Sequence, residues 1–356
     1  MTLKFSEPLL DWYEEHARQL PWRGHTDPYL VWVSEVMLQQ TRVETVIPYF
    51  NRWMANFPTI SDLAKAEQQD VLKLWEGLGY YGRARNLHKA AQMVMAEYGG
   101  ELPRDLSSLQ NLPGVGRYTA GAIVSIAFGV DEPALDGNVS RVLARYFNLT
   151  EPIQSPEGKK TLWSLATHNL PPGQAGEYNQ ALMDLGAMVC APRDPECESC
   201  PISNGCQAYR LGLQLERPVT VSRNPIPHVI VTAAVIKRGD RVLITKRPQD
   251  GLLGGMWEFP GGKQLPGEDL ASCLQREIME ELAVEVQVGS EAGVYQHAYT
   301  HFRVTLHAFY CRLVNGKEPQ PEQVDDLCWV PIHELDAFPM GKIDRQIAAR
   351  LVKEDL

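Results

Sequence analysis

The chain changes its hydrophobic period once, and that change limits what it can fold into. Up to about residue 210, apolar residues recur at the spacing of an α-helix and alternating runs are scarce. Over 211–227 the composition shifts to Pro, Arg and Ser without periodicity, as in a linker. Beyond it VIVTAAVI, RVLITKR and FRVTLHAFYCRLV alternate or run β-branched, as strands do, with a helical stretch over 269–282 between them. A length of 356 residues suits two domains. The expectation is an all-α domain over 1–210, a linker over 211–227 and an α/β domain over 228–356.

Charge and composition narrow the function. The formal charge is −10, with 20 basic and 25 acidic residues before position 226 and 14 and 19 after it, so each part carries −5. Neither part has the general positive field of a basic nucleic-acid binder; contact with DNA would need local basic patches and backbone amides. No apolar run is long enough to cross a bilayer. The opening stretch, MTLKFSEPLLDWYEEHARQL, is an acidic amphipathic helix rather than a signal or transit peptide, which implies a cytoplasmic location. Seven cysteines without an export signal argue against a disulfide framework.

Residues 112–138 read LPGVGRYTAGAIVSIAFGVDEPALDGN. A short helix over 106–112 meets the tight Pro113–Gly116 turn, and a second, apolar helix follows over 117–128. Gly114 and Gly116 allow the turn to bend and leave N–H groups free at a helix start, which suits a phosphate. The chain then reaches a lone carboxylate, Asp136. A helix-hairpin-helix DNA-binding element with a catalytic aspartate behind it and a plain glycine-rich corner followed by an N-cap both fit this stretch. Upstream, Asp27 and Pro28 open the helix YLVWVSEVMLQQT, on which Trp32, Val36 and Gln40 share one face and Glu35 and Gln39 a neighbouring one. A glutamate in so apolar a helix is either an exposed residue or a buried one put to use. Residues 58–98 form two further helices interrupted at Gly77–Tyr81. That break could present an aromatic ring with Arg83 and Arg85 to DNA, or pack a tyrosine in a corner.

Cys190, Cys197, Cys200 and Cys206 are spaced C-x6-C-x2-C-x5-C. Four thiols in one loop suit a [4Fe–4S] cluster; a four-cysteine zinc site is the rival but usually shows two CxxC pairs. From Gly262 the chain reads G-x5-E-x7-R-E-I-x-E-E-x-A-V, which matches the Nudix box except that Ala283 stands where the box has glycine. Glu277, Glu280 and Glu281 fall on one side of a helix, where carboxylates can hold Mg²⁺ against a pyrophosphate or form a solvated acidic face.

Taken in order, SEVMLQQT, GLGYY, LPGVGRYTA, LDGNV, the four cysteines and the Nudix-like domain resemble the A/G-specific adenine DNA glycosylase family (MutY type) over the whole chain. The resemblance implies a DNA repair enzyme that acts on double-stranded DNA with A:8-oxoguanine or A:G mispairs. It would flip adenine into a pocket and hydrolyse its N-glycosidic bond. It assigns Glu35 as the general acid at N7 of adenine, Asp136 as the carboxylate that stabilises the oxocarbenium ion, and Tyr118 and Asn138 as residues that position them. Leu20, Trp22, Arg23 and Gln180 match the adenine pocket. Gln40 and Tyr80 match residues pushed into the base stack, and Thr300 and His301 fall where the family reads 8-oxoguanine. The resemblance further implies a [4Fe–4S] cluster, a monomer and a nucleoid-associated location in a bacterium. Related lyases of the endonuclease III type carry a lysine where this chain has Tyr118, which implies a glycosylase that leaves the strand uncut. The alternatives are an endonuclease III-like lyase, which would have that lysine and no Nudix-like domain, a Nudix pyrophosphohydrolase with a helical appendage, and a non-catalytic lesion-binding protein.

Overall fold

The computed structural model describes residues 5–221, 225–314 and 316–354. Residues 1–4 of the N-terminal amphipathic stretch and 222–224 of the expected linker lie outside them. In chain order the first part forms α1 (Ser6–His16), α2 (Pro28–Leu38), α3 (Val43–Asn56), α4 (Ile60–Lys65), α5 (Gln68–Trp75), α6 (Gly82–Glu97), α7 (Leu106–Gln110), α8 (Arg117–Phe128), α9 (Gly137–Tyr146), α10 (Pro156–His168), α11 (Ala175–Met188) and α12 (Gln207–Arg210). Two compact units result: 1–65 with 86–223, and 66–85 with 224–356. The segment carrying α5 and the Gly77–Tyr81 break therefore groups with the C-terminal residues. Its side chains show why. Arg345 pairs with Glu76 at 2.6 Å, and Trp257 donates its indole N–H to Gln69 at 3.0 Å.

Caps explain where the helices of the first unit start. Asp27 accepts the Tyr29 N–H at 2.8 Å with Pro28 at the first position, Asp105 accepts from Ser108 at 2.9 Å, and Ser155 accepts from Gly158 at 3.0 Å. Each such cap contributes ~1 kcal/mol. α8 ends at Gly129, whose φ of +68° suits glycine. The apolar stripes meet in a core of Phe5 and Leu9, Val139, Val142 and Leu143 of α9, and Tyr178, Leu182 and Leu185 of α11. Each buried side chain of this size contributes about 1.5–3 kcal/mol. Close packing of α9 on α11 depends on Gly186, since a Cβ there would lie 2.7 Å from that of Asn138.

The second unit is a mixed sheet between two helices. Its strands are β1 (His228–Arg238), β2 (Arg241–Lys246), β3 (Trp257–Glu258), β4 (Val286–Ala298), β5 (Arg303–Leu313) and β6 (Asp326–Pro331), in the order β3-β2-β1-β5-β4 with β6 on β2. β1 and β5 run parallel from His228 opposite Arg303 to Ile236 opposite Cys311. α13 (Leu270–Leu282) covers one face through Leu274, Ile278 and Leu282, and α14 (Lys342–Glu354) the other through Ile343, Ile347 and Leu351. Asp269 caps α13 through the Ala271 and Ser272 N–H groups, both at 3.0 Å. Ala283, the departure from the Nudix box, stands at the C-cap with φ +53°. There a Cβ costs roughly 1–2 kcal/mol that glycine would not incur.

Candidate active site

A cavity of about 830 Å³ opens in the first unit between α2, the start of α9 and the segment that joins α1 to α2. Glu35 stands on its wall at 5% exposure, so the exposed-residue reading fails. Its position follows from α2 itself, where Tyr29 and Val31–Met37 are all buried. The Tyr118 hydroxyl, in the first turn of α8, donates to Glu35 Oε2. Burial pushes the Glu35 carboxyl up from its ordinary range, opposed by the Tyr118 hydrogen bond and by the charge of Arg23. Burial also holds the Tyr118 phenol well above its usual value, with the Glu35 charge adding to it, so this hydroxyl stays a donor.

Asp136 lines the same cavity. The N-cap reading of this residue holds. Its Oδ1 caps α9 by accepting the Val139 N–H at 2.6 Å, and its Oδ2 accepts the Asn138 side-chain amide at 3.1 Å. Burial raises Asp136 as well, but these N–H donors favour its anion, where Glu35 receives a single hydroxyl. Two acids on one cavity with different partners are suited to different roles.

Leu20, Trp22, Arg23, Gln40 and Asn138 also line the cavity. Two expectations need correction. Gln40 does not continue the α2 face of Trp32 and Val36, because the helix ends at Leu38 and Gln40 adopts φ +58°. Gln180 does not line this cavity; its amide turns back to the Gly176 carbonyl at 3.1 Å, and Met183, three residues on, reaches the cavity instead. Sequence reasoning missed Arg18 and Asp184, and placed Gln39 beside Glu35 without a role. Gln39 donates to Thr119 at 3.2 Å, while Arg18 and Arg23 both bind the fully buried Asp184.

In the hairpin, Gly114 has φ +76°, and a Cβ there would lie 2.8 Å from that of Asn86, so the turn requires glycine. Gly116 is the N-cap of α8 without a side-chain cap, which leaves the first-turn N–H groups of that helix for an outside acceptor.

Cys190, Cys197, Cys200 and Cys206 line one small cavity beside α9. Arg145, 2% exposed, ties that loop down by donating to the Ala191 carbonyl at 2.7 Å, the Pro192 carbonyl at 2.9 Å and Cys190 Sγ at 3.3 Å. Arg141 bridges the loop to the acid, donating to the Cys190 carbonyl and to Asn138 Oδ1, each at 2.8 Å. Burial raises the thiols of Cys197 and Cys206 and pushes Cys200 up to about 12, with repulsion among the sulfurs adding to it. Such thiols ionise only when a positive group replaces their protons. The donor set and the buried arginine fit an iron–sulfur cluster. Among the described residues, no group of three or more His, Cys, Asp or Glu is set to hold a single metal ion.

Arg276 engages Glu268 at 2.9 Å, Glu277 at 2.8 Å and Glu280 at 3.4 Å, and Glu281 accepts the Gly261 N–H at 3.0 Å. Glu277, Glu280 and Glu281 do not converge on a Mg²⁺ position; Arg276 pairs the first two and the Gly261 N–H holds the third. Burial pushes Glu281 up to about 7, with Glu277 and Glu280 adding to it. A carboxyl raised in the folded state stabilises below its unfolded value and loses that contribution as pH climbs through the folded one. Glu281→Gln is therefore expected to raise the stability of this unit by ~1–2 kcal/mol at pH 8 and hardly at all at pH 4.5. Thermal unfolding of the two proteins at both pH values checks this.

The exposed loop residues fall in the second unit. Tyr80 (42% exposed, φ +50°) lies 5.3 Å from the Arg83 guanidinium, and its hydroxyl is hydrogen-bonded to that of Thr300. Thr300 and His301 form the exposed tip between β4 and β5, closed by the Tyr299 N–H donating to Phe302 at 2.8 Å.

Comparison with known proteins agrees with this arrangement. Residues 33–167 match the family model of the HhH-GPD superfamily base excision DNA repair proteins, and residues 231–350 match that of the NUDIX domain. The adenine DNA glycosylase of Rattus norvegicus is 36% identical over 385 residues, covering 93% of this chain and 74% of that protein. The human adenine DNA glycosylase is 36% identical over 88% and 68%, and that of Buchnera aphidicola from Acyrthosiphon pisum is 34% identical over 87% of each. Among solved structures, a thermostable thymine-DNA glycosylase is similar with a TM-score of 0.54 and 33% identity, covering 58% of this chain and 95% of that one. A trapped covalent endonuclease III–DNA intermediate is similar with a TM-score of 0.51 and 25% identity, over 58% and 95%. No described helix is long and apolar enough to cross a membrane. With more than a third of its residues shared along most of both chains, this protein belongs to the adenine DNA glycosylase family.

Proposed function

We propose that this chain hydrolyses the N-glycosidic bond of adenine mispaired with 8-oxoguanine or guanine, releasing free adenine and leaving an abasic site in an uncut strand. The observation that carries the reading is the pairing of two differently held acids on one cavity, the buried Glu35 and the half-buried Asp136. Glu35 gives its proton to N7 of the flipped adenine, which lets the base leave as a neutral molecule. Asp136, whose N–H donors favour its anion against the burial that raises it, offsets as a carboxylate the positive charge that develops at C1′ until water adds there. Tyr118 holds Glu35 and Asn138 holds Asp136. Since Tyr118 has no amine to condense with the opened sugar, the strand stays intact. Leu20, Trp22 and Arg23 contact the base. The Gly114–Gly116 turn and the N-terminus of α8 take a DNA phosphate.

The four cysteines hold a [4Fe–4S] cluster whose part is structural, fixing the loop that Arg141 and Arg145 tie to α9. We place the catalytic domain at 1–210 and the lesion-reading domain at 228–356, with Tyr80, which groups with the second unit, reaching the lesion together with Thr300. The hydroxyl contact between Tyr80 and Thr300 supports this reading of the strand opposite adenine. Thr300→Val is therefore expected to leave excision from A:G duplex within about twofold and to slow excision from A:8-oxoguanine by roughly 5–10-fold, the size of one neutral hydrogen bond. Equal effects on both duplexes in single-turnover assays would remove Thr300 from lesion reading.

A further inference from the structure

Asp184 lies on α11 and is fully buried. It carries two guanidinium groups. Arg18 donates Nε at 2.9 Å, a terminal nitrogen at 2.6 Å and its backbone N–H at 3.2 Å, and Arg23 donates a terminal nitrogen at 3.2 Å. Both arginines belong to the non-helical segment between α1 and α2, and both line the Glu35 cavity. Arg23 gives its other terminal nitrogen to the Tyr13 hydroxyl at 2.5 Å. One buried acid thus pins a cavity wall that has no helical hydrogen bonds of its own. Two cations around one anion leave a net single positive charge on that wall. The groups facing Glu35 are Arg23 on this segment, Tyr118 from α8 and Asp136 ahead of α9, with Arg42 and Glu44 at the α3 side of the cavity.

We propose that Asp184 is a positioning residue for base release: it clamps Arg18 and Arg23 against the cavity and cancels part of the positive charge that faces Glu35. The proposal rests on Glu35 being the acid. Without the Asp184 charge, two unopposed arginines favour the Glu35 anion, and the acid loses its proton at lower pH. Without Arg18, Asp184 neutralises Arg23 more fully, and Glu35 keeps its proton to higher pH.

The test is the pH dependence of single-turnover adenine release from an A:8-oxoguanine duplex by the full chain. In Asp184→Asn the high-pH limb is expected to move down by about one unit, and in Arg18→Met to move up. A lesion that merely loosens the fold lowers rates at every pH and leaves the limb in place. A limb unmoved in either folded variant overturns the proposal, and if Asp184→Asn does not fold, Arg18→Met decides alone. Glu35→Gln in the same assay separates the two claims. Loss of excision there with an unmoved limb in the others overturns only the role of Asp184, whereas retained excision overturns the reading of Glu35 itself.

Discussion

Glu35→Gln is expected to slow adenine release by about 10³-fold or more in single-turnover assays while binding the A:8-oxoguanine duplex as tightly as the unaltered protein. The size follows from general-acid catalysis, worth roughly 10²–10⁴-fold, acting where burial already favours the protonated carboxyl. Glutamine has the same shape and still accepts from the Tyr118 hydroxyl, so the packing of α2 against α8 survives. It has no acidic proton to give. Rates within about tenfold of the unaltered protein would take Glu35 out of the reaction.

Asp136→Asn separates the N-cap that this side chain forms from the charge we propose it supplies. As an N-cap, asparagine serves as well as aspartate, so the Val139 N–H keeps its acceptor and α9 keeps its start. As a charge, asparagine offers nothing to a developing cation at C1′. Loss of such preorganised electrostatic stabilisation costs about 10²–10³ in rate. We therefore expect excision to fall by that factor with the thermal midpoint nearly unchanged. A stability loss without a rate loss would leave Asp136 as a cap alone.

Local signals were legible and long-range ones were not. The PGVG turn placed α8 at Arg117–Phe128, and Asp27-Pro28 placed the start of α2, because cap and turn chemistry is written in adjacent residues. The β1, β2 and β5 runs were readable as β-branched segments. β3 is two residues long, too short for any period. β4 carries bulges between Val288 and Glu291 and between Glu291 and Gly293, which break its alternation. The grouping of 66–85 with the C-terminal unit was hidden for a different reason, since Arg345 and Glu76 lie 269 positions apart. Separation of the same kind concealed Asp184 as the partner of Arg18 and Arg23. Arg141 and Arg145 sit on a helix with an ordinary amphipathic pattern, and only the fold shows that they hold the cysteine loop. The Nudix-type carboxylates were legible as a pattern, yet their pairing with Arg276 depends on side-chain geometry that spacing does not carry.

The proposed activity is removal of adenine opposite 8-oxoguanine that stops at the abasic site. Its most direct test is single-turnover incubation of the purified protein with duplexes holding A:8-oxoguanine, A:G or A:T, followed by quantification of free adenine and of strand breaks before and after alkali. Adenine released fastest from A:8-oxoguanine, more slowly from A:G and not from A:T, with breaks only after alkali, is the predicted result. No adenine from the A:8-oxoguanine duplex, or strands cut without alkali, would contradict it.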